Sequence, residues 1–169
     1  TDEERRKASL ATIAFLDRLV QDGVLAGHDI QAEELAPLCF YNIRAGLRPP
    51  CILIEGKIDS NVRRSDFMVI GFGLNKYGLR PSGTDLTKEE ALRRAEASLR
   101  RYTSDSVFSQ LGRGMVQPHE DPYTSESWSH PSGWSVAWSR CYKGFEFTYD
   151  FANVGLTLDG QFRAFYWRL

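Results

Sequence analysis

Hydrophobic and polar positions alternate most regularly between residues 134 and 169, and the strands this pattern predicts organise the rest of the chain. Trp134, Val136, Trp138 and Tyr142 share one parity, while Ser135, Ala137, Ser139 and Cys141 share the other, so one strand face is large and its reverse small. Phe145, Phe147, Tyr149 and Phe151 then alternate with Glu146, Thr148 and Asp150. A tight turn at Lys143-Gly144 would pair Trp138 with Tyr149 and Val136 with Phe151, placing both aromatic sets on one sheet face. Asp159-Gly160 marks a second hairpin. A two-residue loop there would mix apolar with polar partners, whereas a three-residue loop with Gly160 left-handed pairs Leu156 with Phe162, Val154 with Ala164 and Thr157 with Gln161. The expectation is a C-terminal four-stranded antiparallel meander whose aromatic face is covered by helices or by a ligand.

Upstream, residues 2–21 carry a helical stripe of Leu10, Ile13, Ala14, Phe15, Leu16, Leu19 and Val20, ended by Asp22-Gly23. A second helix is expected through Leu35, Leu38, Cys39, Phe40 and Ile43, with Pro37 in its first turn. The apolar runs 51–58 and 67–72 predict two strands joined by the polar loop DSNVRRSD. Thr87 with Glu90 forms a capping box, and Ala91, Leu92, Ala95, Leu99 and Tyr102 give that helix its buried stripe. Its Glu89–Arg93, Glu90–Arg94 and Glu96–Arg100 spacings suit solvated ion pairs. The fold class is therefore α+β: helices on one face of the C-terminal meander, with an N-terminal αα-ββ half. The chain reads as a single globular domain, 1–169, with two small halves, 1–83 and 84–169, as the finer division.

Composition narrows the function classes. A formal net charge of -1 on 169 residues argues against a dedicated nucleic-acid binder. No apolar run is long enough to span a membrane. The chain opens on Thr1 rather than Met, which leaves room for a removed leader or preceding domain. Cys39, Cys51 and Cys141 form no CxxC pair, and the expectation for them is reduced thiols in the core, with one disulfide and one free thiol as the alternative. No GxSxG elbow brackets a serine, so no catalytic residue is assigned.

The long polar connection 107–131 is where a site is expected. It holds His119, Glu120 and Asp121, weak metal candidates that match no ligand spacing, together with Trp128 and His130. No metal and no cofactor are assigned. Trp128, His130, Trp134 and Arg140 are the candidate ligand- or partner-binding residues, Arg140 because the register sets it across from Phe147, where it could stack or hold a carboxylate.

The helix opening Thr87-Lys-Glu-Glu-Ala91, then Trp138-Ser-Arg140, Gly144-Phe145, 154–158 and Asp159-Gly160 before a last aromatic strand, resembles the PepSY-type modules of bacterial envelope proteins. The likeness covers 85–169. It implies a non-catalytic binding module, protein-binding or protease-inhibitory, located in the cell envelope or secreted, with a protein or peptide partner; without it the expectation is cytoplasmic. Two other readings compete. An NTF2-like or cystatin-like cone would line a small-molecule pocket with these aromatics, using His119 or His130 as a base. An interaction domain would expose Trp128, Trp134 and Trp167 as a contact patch. Oligomeric state is not readable from the residues.

Overall fold

The computed structural model describes residues 1–25, 31–40, 50–56, 58–74, 83–119 and 132–168, and within them the chain is α+β with antiparallel strand pairing. It divides into two compact units, Thr1–Gly78 and Leu79–Leu169.

The first unit opens with helix α1 (Asp2–Gln21), started by a Thr1–Glu4 capping box. Four strands follow, β1 (Ala36–Phe40), β2 (Cys51–Glu55), β3 (Asp59–Arg63) and β4 (Val69–Gly73), paired in chain order. Ile52 pairs with Val62, and Ile54 pairs with Ser60, which in turn meets Phe72. These buried positions receive α1. The helix buries Ala8, Ser9, Thr12, Leu16 and Leu19, a face rotated from the expected stripe, so that Leu10 is exposed. Thr12 and Ser60, both fully buried, satisfy each other through a 3.0 Å hydroxyl bond.

Two expectations fail in this unit. Residues 35–43 were expected to be helical, but a 3-10 turn (Ala32–Glu34) leads into strand β1; Ile43 lies outside the described residues. Pro37 fits there because β1 pairs with β2 on one side, and an edge strand tolerates a missing N–H. The polar loop DSNVRRSD instead contains β3, whose Ser60 and Val62 alternate inward. Among its described residues the N-terminal half holds helix α1 and strands β1 to β4 rather than αα-ββ.

The second unit repeats that element order. Helix α2 (Lys88–Tyr102) begins at the expected Thr87–Glu90 capping box and buries Ala91, Ala95 and Leu99. A short helix, α3 (Asp105–Phe108), precedes strands β5 (Met115–His119), β6 (Gly133–Tyr142), β7 (Phe145–Thr157) and β8 (Phe162–Arg168), again paired in chain order. The four-stranded meander is present, with a different membership. The residues expected as its second and third strands form the single strand β7, and β5, drawn from the polar connection, supplies the remaining strand.

α2 lies on this sheet. The covered face carries Val116, Val136 and Trp138, Ala152 and Val154, and Phe165 and Trp167, matched across the strands by register. Tyr102 of α2 meets Phe162 at 5.7 Å between ring centroids. Gly114 marks how tightly helix and sheet close, since an added Cβ would run into Trp138 Nε1 and Leu92 Cδ1. The arginines of α2 do more than solvate it: Arg94 donates to the Asp159 carbonyl, and Arg100 stacks 3.7 Å over Phe108. Gly160, at φ +86°, makes the expected left-handed bulge, and Thr157 N–H donates to the Gln161 carbonyl as the three-residue loop requires. A register shift then sets Val154 opposite Phe165 rather than Ala164.

Candidate functional site

The site follows from a mismatch in strand length. β7 runs for 13 residues and β8 for 7, and along β7 the register with β8 covers Phe151 to Leu156. The N-terminal part of β7, with the end of β6, therefore projects as a two-stranded arm beyond β8. Lys143 (φ 51°) and Gly144 (φ 83°) make the two-residue turn at its tip, with Tyr142 opposite Phe145, both central residues being left-handed as this hairpin turn demands.

Arm and sheet are separated by a bulge. Up to Ser139 the partner of β6 is Phe151; at Arg140 it becomes Phe147, so that Thr148, Tyr149 and Asp150 are left over on β7. The expected pairs Trp138–Tyr149 and Val136–Phe151 are replaced by Trp138–Ala152 and Val136–Val154. The expectation of a single covered aromatic face is corrected accordingly. Trp138, below the bulge, is 1% exposed, whereas Tyr142, Phe145, Phe147 and Tyr149 on the arm are 55%, 71%, 45% and 68% exposed.

Arg140 stands at the base of the arm. Its guanidinium lies 5.9 Å from the Phe147 ring centroid and donates from Nη1 to Asp150 Oδ2 at 3.3 Å, so a carboxylate of this chain occupies the position proposed for a ligand's. Its Nε is buried without a hydrogen-bond partner among the described residues. The α3–β5 segment supports the base: Gly112 N–H donates to the Ser139 carbonyl and Cys141 N–H to the Gln110 carbonyl. Lys143 Nζ sits 5.3 Å from the Tyr142 ring centroid, on the same side as the aromatics.

The other candidate residues fall elsewhere. Trp134 is half-buried in β6 opposite Leu156, with its Nε1 buried and unpartnered among the described residues. Trp167 is a core residue, so the patch of Trp128, Trp134 and Trp167 does not form as expected; Trp128 lies outside the described residues, as do Glu120, Asp121 and His130. His119 ends β5 opposite Gly133, its carbonyl accepting from Ser132. Among the described residues no group of three or more His, Cys, Asp or Glu side chains is placed to hold a metal, and no helix is long and apolar enough to cross a membrane. Cys51 and Cys141 are half-buried and outside any disulfide; the Cys39 side chain lies outside the described part.

The arm aromatics were missed as a site because alternation reads alike for buried and exposed strands. The available signal was the contrast between a long aromatic run, FEFTYDFANVGLT, and a last strand too short to cover it. Set against known proteins, the chain matches no family model, no curated protein and no solved structure.

Proposed function

We propose that this chain is a non-catalytic protein-binding module of the PepSY-like kind, and that its contact surface is the arm formed by Tyr142, Phe145, Phe147 and Tyr149. The observation that carries this reading is the exposure of those four rings on one projecting ribbon. Aromatic side chains usually supply core area, and a contiguous exposed set of them marks an interaction site. Tyr and Arg are also the residue types that dominate contact energies between proteins, and Arg140 flanks the patch. Packing of Trp138 beneath α2 supports the binding module over a cone fold, which needs that face open.

Selection of displayed random peptides on the intact protein tests this reading. Peptides enriched by the natural chain should lose at least tenfold in affinity on a Phe145→Ser/Phe147→Ser variant, the loss of about 1.4 kcal/mol or more expected when interface aromatics are truncated. Enriched peptides that bind both proteins equally would contradict it.

A further inference from the structure

We infer that the arm takes its partner as an added β-strand: an extended peptide lies antiparallel along the open edge of β7, with apolar side chains beside Phe145 and Phe147 and a basic one beside Glu146. This rests on the reading of the arm as a protein contact surface. Contact area sets the first condition. The register puts Tyr142, Phe145 and Phe147 on one face of the arm, and at their observed exposures they offer roughly 350 Å². A specific interface between folded partners removes about 1,000 Å² or more from water, counting both sides, so these rings alone do not hold one. With an extended partner, main-chain hydrogen bonds supply what the rings lack.

The arm has such bonds to offer. Cys141 N–H donates to the Gln110 carbonyl, on the side of β6 away from β7. In an antiparallel ladder, a residue whose N–H points away from the facing strand belongs to a pair that exchanges no bonds. That pair is Cys141 with Glu146, so Glu146 turns its own N–H and C=O to the opposite edge of the arm. There the register with β8 begins at Phe151, no strand lies alongside among the described residues, and every residue from Tyr142 to Tyr149 is exposed. The bulge from Thr148 to Asp150 closes the edge at its base, which admits a short segment and not the sheet of another protein. An antiparallel segment continues the lane of β8. Its residues level with Phe145 and Phe147 point to the aromatic face, and the one between them points to the reverse. Charge selects that middle residue. Arg140 is met by Asp150, whereas Glu146 is exposed and in no ion pair among the described residues, so lysine or arginine is its complement.

Peptides enriched from a random display library by the intact chain are the probe. They should share an apolar–basic–apolar core and bind Glu146→Lys several-fold more weakly at an unchanged melting temperature, with affinity restored when the peptide's basic residue is exchanged for glutamate. The same peptides, each carrying one N-methyl group on a core residue, test the backbone bonds by fluorescence anisotropy. Methylation of the basic residue, which faces Glu146, should cost roughly tenfold or more, and methylation of either apolar neighbour should spare binding. Equal losses at all three positions, no loss at any, or equal binding to Glu146→Lys would overturn the inference. Its failure separates from that of the binding reading. Peptides that need Phe145 and Phe147 but show no such methylation pattern overturn strand addition alone; a chain that enriches no arm-dependent peptide overturns both.

Discussion

The two units share an element order and differ in what they do with strand length. In Thr1–Gly78 each described strand has five residues, and the four rungs lie against α1. In Leu79–Leu169 the strands have 5, 10, 13 and 7 residues. Where the strands match in length, the pattern of large residues is used up in packing. Where they overshoot, the same alternation continues past the helix and its aromatics face water. The units also anchor their helices differently. Under the apolar face of α1 a buried polar pair, Thr12–Ser60, joins Leu16 and Leu19, with Glu4–Arg64 at its margin, whereas the buried contacts of α2 are with Trp138 and Phe162 and its polar tie, Arg94 to the Asp159 carbonyl, lies outside.

This contrast orders the expected mutational effects. Trp138→Ala should cost about 3–5 kcal/mol, because a fully buried indole leaves a cavity beneath α2. Chemical denaturation measures the loss, and hydrogen exchange should locate it in β6, β7 and β8. A spread over α1 and β1 to β4 would break the division. Next, Thr12→Val should cost about 1–3 kcal/mol by leaving the buried Ser60 hydroxyl unmatched, and Thr12→Val/Ser60→Ala should recover much of it. A double variant as unstable as the sum of the singles would mean that the hydroxyl bond is not the anchor.

A smaller effect comes from acid. Arg64, donating to Glu4 at 2.7 and 3.0 Å, and after it the Thr1 ammonium and hydroxyl lower the Glu4 carboxyl from 4.5 to about 2. A carboxyl depressed in the folded state binds its proton more readily when unfolded. Its contribution is therefore present above about pH 4.5 and lost as pH falls toward 2. Glu4→Gln should flatten that part of the stability–pH curve; an unchanged slope would remove the ion pair from the account. Smallest of all, Phe145→Ser/Phe147→Ser should shift stability by no more than about 0.5 kcal/mol, as exposed positions do.

Turn chemistry and helix caps were the most legible features. The Thr87–Glu90 box, the Lys143-Gly144 turn and the Gly160 bulge depend on a few local residues, and each lies where its local pattern sets it. The misreadings come from partners that local pattern does not contain. Leu35, Leu38 and Cys39 have helical spacing, but β2 offers the segment a ladder of hydrogen bonds and makes it an edge strand. β3 looked like a loop because Ser60 is polar, and only Thr12, 48 residues away, makes burying it acceptable. The bulge at Arg140 was hidden because regular alternation on both sides conceals three extra residues, and with it was hidden the boundary between core and arm.

That boundary is the centre of the account, and residue-resolved hydrogen exchange tests it most directly. The amides of the arm from Tyr142 to Asp150 should exchange rapidly while those of Val136, Trp138 and Val154 stay protected. Arm amides as protected as those of the core would contradict it.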